Sequence, residues 1–267
     1  MFDGDGAIGI FDSGFGGLTV ARQVMERLPN ESIIYVGDTA RLPYGTKSPA
    51  TVIRYAKNCS KILAHRGIKL LVVACNTASA HAIPELRDAY SLPVIGVVEP
   101  GAQSAVEASR GGAIGIIATE GTIQSEVYPR AIRALLPDAR VVSMPCPLFV
   151  PLAEEGWVDG EIPLKVAERY LSVLMKDDID TLVMGCTHYP LLTQTIQKAV
   201  GNRVTLVDSA KATARVVEEI LTGMQHLAGA EEVPIHEYIV SDDPKKFSTV
   251  GEPFLGQPIH HVEWLDF

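Results

Sequence analysis

The chain has 267 residues, 47% of them hydrophobic and 21% charged, with a net charge of −9. That is enough apolar side chain for one large or two modest cores and too little charge for a disordered chain. The acidic balance argues against a nucleic-acid partner, and no apolar run reaches the ~18 residues that span a bilayer, so no membrane segment is expected.

The start, MFDGDG, is acidic and runs at once into an apolar stretch. It lacks the pattern of a signal or transit peptide, so a cytoplasmic location is expected. The first strand-like run, Ile8–Phe11, ends in Asp12-Ser13-Gly14 and then Phe15-Gly16-Gly17-Leu18. The glycines permit a tight turn into a helix, whose N-terminus favours an anion. There is no Lys-Ser/Thr of a P-loop and no full GxGxxG spacing, so a carboxylate is as good a ligand as a phosphate. A purely structural turn explains the glycines equally well, and an N-cap role would account for Asp12.

A helical period over Leu18–Arg27 leads to a strand at Ile33–Val36, followed by Gly37-Asp38-Thr39 and the turn Pro43-Tyr44-Gly45, which offers a phenol handle. A helix is predicted over Pro49–His65. The strand Leu70–Ala74 ends at Cys75 and precedes Asn76-Thr77-Ala78-Ser79; a helix over Ala80–Tyr90 and a strand at Val94–Val97 follow. The second half repeats the scheme with strands at Ala113–Ala118, Val141–Ser143, Thr181–Met184 and Val204–Val207. The third of these ends at Cys186, before Thr187-His188-Tyr189-Pro190. The tail holds a helical ATARVVEEIL and then a Gly/Pro-punctuated stretch.

Four pairs of segments recur in the same order: IGIFDSG with IGIIATEG, SIIYVGD with ARVVSMP, the two cysteine strands, and PVIGVV with RVTLVD. The chain therefore reads as two related halves. Val- and Ile-rich runs without alternation imply strands buried on both faces, and strands alternating with helices imply parallel sheets. The expected fold is α/β: two doubly wound parallel-sheet domains related by pseudo-two-fold symmetry, with the active site in the cleft between them. The tail is expected to return to the first domain, giving a discontinuous unit of residues 1–98 and 208–267 and a second of 99–207.

The four cysteines, Cys59, Cys75, Cys146 and Cys186, show no CxxC or zinc-finger spacing and read as free thiols. Cys59 lies in a helical pattern and Cys146 between prolines, so these two read as structural. Cys75 and Cys186 each end a buried strand at the place where a helix should start, an environment that lowers a thiol pKa. A lone cysteine there is ordinarily a small buried hydrophobe. Two at matching places in two repeats would reach one cleft from opposite sides. One could remove a proton from a stereocentre while the other returns one to the opposite face, which is racemisation by two bases. His188 stands two residues from Cys186 and could assist it. Glu154 and Glu155 sit in PLAEEG near a Gly turn.

GIFDSGFGGLTV, YVGDTARLPYG, VVACNTAS, PLAEEG and GCTHYPLL together resemble the glutamate racemases of the aspartate/glutamate racemase superfamily. The resemblance implies interconversion of L- and D-glutamate with no cofactor and no metal. It also implies a role in peptidoglycan and cell-wall biogenesis, and so in cell shape. By motif it makes Cys75 the base toward D-glutamate and Cys186 the base toward L-glutamate. Asp12 then assists Cys75, and His188 and Glu154 stand on the Cys186 side. Ser13, Tyr44, Gly45, Asn76, Thr77 and Thr187 fall on substrate-binding positions, together with Asp12 and His188. A homodimer is expected. Aspartate or another acidic amino acid is the alternative substrate, and an amino-acid binding protein without catalysis is the rival of another class.

Overall fold

The computed structural model describes residues 6–267. The acidic start on which the signal-peptide expectation rests lies almost wholly outside them. The first half comprises β1 (Ile8–Asp12), α1 (Leu18–Arg27), β2 (Ile33–Gly37), α2 (Pro49–His65), β3 (Leu70–Val73), α3 (Asn76–Ala89) and β4 (Val94–Gly96). Helix α4 (Val98–Ala108) crosses to the second half. There follow β5 (Ala113–Ala118), α5 (Glu120–Gln124), α6 (Val127–Leu135), β6 (Val141–Pro145), α7 (Phe149–Glu154), α8 (Glu161–Leu174), β7 (Ile179–Gly185), α9 (Thr193–Val200) and β8 (Thr205–Asp208). The tail forms α10 (Ser209–Met224), β9 (His236–Val240), α11 (Pro244–Leu255) and β10 (Val262–Trp264).

The sheets explain the apolar runs. Every residue of β1, β2, β3 and β5 is buried, because side chains on both faces of each sheet meet a layer of helices. Ile8 and Ile10 pack into one cluster with Leu18, Val20 and Val217, while Phe11 faces the other way, toward Val52, Ala56 and Leu63. Each such side chain contributes roughly 1.5–3 kcal/mol on burial. Cys59 lies in this second cluster, and Cys146 in the core of the second half.

Strand order is β10-β9-β2-β1-β3-β4 in one sheet and β6-β5-β7-β8 in the other, and all pairings are parallel. The order β2-β1-β3-β4 in the first sheet matches β6-β5-β7-β8 in the second, so the sequence repeat is a topological repeat. The tail adds two strands at the β2 edge that the sequence did not announce as strands. Helix α10 carries an Asp208 side-chain cap on Ala210 N–H at 2.8 Å, and α11 an Asp243 cap on Lys246 N–H at 3.1 Å. Among the described residues no helix is long and apolar enough to cross a membrane.

Two local expectations are corrected. Helix α3 starts at Asn76 rather than Ala80, with Cys75 in the N-cap position. After Cys186 the chain makes a 3₁₀ turn, Tyr189–Leu192, before α9 begins.

Candidate active site

In parallel sheets ligands gather beyond the carboxyl ends of strands. Here the register brings the relevant ends level. Phe11 pairs with Val73 in the first sheet, which sets Asp12 beside the residues entering Cys75. Ala118 pairs with Gly185 in the second, which sets Thr119 beside Cys186. One narrow cavity lies between the two halves. Cys75 and Cys186 both line it, with Ser13, Tyr44, Gly45, Asn76, Thr77, Glu154, Thr187 and His188. Asp12 is fully buried just behind this wall.

The Cys75 side carries a buried carboxylate. Cys75 Sγ donates to Ser13 Oγ at 3.8 Å, and Asp12 Oδ2 accepts the Gly14 N–H at 2.9 Å. Burial raises the Asp12 carboxyl above its ordinary range, against the opposing charge of His188. Burial, reinforced by the Asp12 charge, pushes Cys75 up to about 12. The expected lowering by the helix N-terminus is therefore corrected: desolvation outweighs it, and Cys75 is a thiol at neutral pH.

The Cys186 side carries the imidazole. His188 Nδ1 is 3.9 Å from Cys186 Sγ, and its Nε2 is 3.0 Å from Glu154 Oε1. The ring also meets Phe254 of α11 edge-on, at 5.2 Å between centroids. Burial alone would lower the pKa of His188. The bonds to Cys186 and Glu154 outweigh it and push His188 up to about 10. The choice between the two adjacent glutamates falls to Glu154, because the short helix α7 turns Glu155 to solvent.

The raised His188 pKa means that the folded chain holds this proton more tightly than the unfolded one. The resulting stabilisation is complete below about pH 6.5 and is lost as pH rises through about 10. Glu154→Gln should therefore lower the Tm most near pH 6, with the gap to wild type closing toward pH 10. A gap that does not change with pH would contradict the pairing.

The glycine turn after β1 meets the second half of the chain at Gly16. A Cβ on Gly16 would lie 2.3 Å from Thr187 Oγ1 and 2.4 Å from His188 Nδ1, so the turn is where the second half closes onto the first. Thr19 Oγ1 donates to Thr187 O at 3.1 Å across the same seam. Gly16→Ala is expected to push Thr187 and His188 outward and reduce kcat/KM on the order of tenfold to a hundredfold, with a small change in Tm. Steady-state kinetics beside a melting curve checks this.

Tyr44 lines the cavity with Gly45, while its phenol donates to Asp38 Oδ2 at 2.5 Å and Asp38 Oδ1 accepts from Ser241 Oγ at 2.8 Å. Asn76 is 3% exposed; its Oδ1 accepts from Tyr128 OH, and its Nδ2 has no partner among the described residues. Thr77 Oγ1 lies 3.0 Å from Thr119 Oγ1, another contact between the halves. Thr119 was not singled out from the sequence, although the repeat offers the signal: the offset that aligns Ile8 with Ile114 aligns Ser13 with Thr119. Among the described residues no group of three or more His, Cys, Asp or Glu side chains is arranged to hold a metal ion.

Two like-ordered parallel sheets with a sulfur at each of two matching strand ends define a class of two-lobed α/β proteins suited to proton transfer in their cleft. The model of the Asp/Glu/Hydantoin racemase family matches residues 18–217, and the chain belongs to that family. It is 56% identical to the glutamate racemase of Geobacter metallireducens over 256 residues, 96% of this chain and 95% of the relative. Among solved structures it is similar to a glutamate racemase from Francisella tularensis in complex with D-glutamate, with a TM-score of 0.92 and 39% identity over 98% of both chains. Glutamate racemase isoform RacE1 of Bacillus anthracis superposes with a TM-score of 0.94 at 40% identity, covering 98% of this chain and 97% of that one. An aspartate racemase from Picrophilus torridus, at 18% identity and a TM-score of 0.58, shares the fold.

Proposed function

We propose that the chain interconverts L- and D-glutamate without a cofactor, using Cys75 and Cys186 as acid and base on opposite faces of the substrate Cα. The observation that carries this reading is that equivalent ends of two like-ordered sheets deliver one sulfur each to one cavity. In the L-to-D direction Cys186 takes the α-proton and the Cys75 thiol gives its own to the opposite face. One C–H bond breaks and one forms, and the electron pair rests on the α-carbon and carboxylate between the two steps. The reverse direction exchanges the roles.

The surroundings suit this asymmetry. Cys75 holds its proton in the buried pocket, ready to donate it. A protonated His188 sits against Cys186 and is held there by Glu154. The free Nδ2 donor of Asn76, the hydroxyls of Ser13 and Thr187 and the N-terminus of α3 can stabilise charge developing on the α-carboxylate. Asp12 acts from behind Cys75. Glutamate is favoured over aspartate because relatives at 45–56% identity are glutamate racemases. The reading extends to two domains, residues 1–98 with 208–267 and residues 99–207, in a cytoplasmic homodimer that supplies D-glutamate for peptidoglycan.

The test uses purified protein with D-glutamate, and separately D-aspartate, in D2O under reducing conditions. Circular dichroism follows optical activity, and NMR follows the α-proton. Decay to zero rotation with α-deuterium incorporated, for glutamate in preference to aspartate, is expected. Turnover of aspartate alone would move the substrate assignment, and exchange of neither would refute racemisation.

A further inference from the structure

Both cysteine strand ends meet one side chain that sequence patterns did not single out. Tyr128, near the start of α6, is 1% exposed. Its hydroxyl donates to Asn76 Oδ1 at 2.7 Å, on the residue that follows Cys75. Its ring lies against the backbone of Gly185, the residue that precedes Cys186: a Cβ there would sit 3.0 Å from Tyr128 Cε2. A third contact fixes the ring from α4, where a Cβ on Gly101 would be 3.1 Å from the phenol oxygen. The rest of the ring is bedded among Val98, Ala102, Ile132 and Val183.

The hydrogen bond has a directional consequence. A primary amide has an acceptor on one side and a donor on the other. With Oδ1 accepting from Tyr128, Nδ2 is left as a buried donor without a partner among the described residues, on a residue that lines the cavity. A flip would give up this O–H···O bond and turn the acceptor, not the donor, toward an anionic ligand. We propose that Tyr128 is a positioning residue: it locks the Asn76 amide with Nδ2 available to an anionic oxygen of the substrate, and it couples that donor to the strand end carrying Cys186. The inference rests on the racemase reading given above and adds a residue to it that never touches substrate.

The experiment compares glutamate racemisation in wild type, Tyr128→Phe, Asn76→Ala and the double variant, with a thermal melt of each. Tyr128→Phe keeps the ring and its packing and removes the hydroxyl, with its bond to Asn76 and its interaction with Ser209. It should melt cooperatively and lose on the order of tenfold in kcat/KM, the size of one buried hydrogen bond. Because Tyr128 acts through Asn76, the double variant should match Asn76→Ala within about twofold. Asn76→Asp, which keeps an acceptor for Tyr128 but removes the free donor, should fall as far as Asn76→Ala. A merely structural Tyr128 would give losses that multiply in the double variant, and that result overturns the proposal. So does full kcat/KM in Tyr128→Phe or in Asn76→Ala. A wild-type protein that leaves glutamate optically unchanged would overturn the racemase reading, and this inference with it, before any variant is compared.

Discussion

Cys75→Ala and Cys186→Ala are each expected to lower kcat for racemisation by about 10³-fold or more, in both directions. In the proposed two-base mechanism a complete turnover uses one sulfur as base and the other as acid, and the reverse reaction crosses the same transition state. Loss of either sulfur therefore stops both directions. The fold should survive. Each side chain is 6% exposed, and alanine removes a single heavy atom from it. The two variants differ in what they retain. Cys186→Ala keeps Cys75 on its own face of the cavity, so D-glutamate in D2O should show slow α-deuterium exchange without inversion. Cys75→Ala should do the same for L-glutamate. NMR for the α-proton, polarimetry for the configuration and a melting curve for the fold separate these outcomes. Racemisation at the wild-type rate by either variant would replace the two-base mechanism with a single base.

Lys69→Met should cost about 3–5 kcal/mol of stability, the penalty for stranding one charge of a buried pair. Lys69 Nζ lies 2.7 Å from Glu31 Oε2, and both side chains are only 3% exposed. The contact is a charge pair by distance, without the alignment of a hydrogen bond at Oε2. Both partners also hold the tail: Lys69 Nζ donates to His226 O at 2.7 Å, and Glu31 Oε1 accepts Ala228 N–H at 2.8 Å. These residues follow α10 and precede β9, so the pair fixes where the returning chain reaches the β2 edge. Urea denaturation should show the loss, and limited proteolysis should cut the variant between α10 and β9. The double variant Lys69→Met/Glu31→Leu should recover most of the stability, since no buried charge is left alone. A loss below about 1 kcal/mol in the single variant would show that water reaches the pair.

How much of this was legible from the chain depends on how local the physics is. The strands before Cys75 and Cys186 could be read because a run buried on both faces must be apolar throughout, and it must end where polar groups meet the cleft. The repeat could be read because corresponding strands in the two sheets have the same partners. The strand His236–Val240 could not. Its first two residues are only half-buried, and what makes it a strand is pairing with β2, some 200 residues earlier in the chain. The resemblance picks Glu154 over Glu155, but the physical reason for that choice, the rotation of one short helix against His188, is tertiary.

The sequence by itself determined the α/β class, the two halves, the cysteine at each strand end and the residues that gather around them. Each of these follows from hydrophobic pattern and residue type along short stretches of chain. Only the tertiary structure decided the electrostatics and the seam. A helix N-terminus is visible in sequence, but the burial that overrides it at Cys75 is not, because desolvation sums over every atom packed around the sulfur. That Thr187 and His188 close over Gly16, and that Tyr128 reaches both Asn76 and Gly185, is likewise decided only in three dimensions. Contacts between residues distant in sequence set these features, and no local pattern encodes which distant residue will arrive.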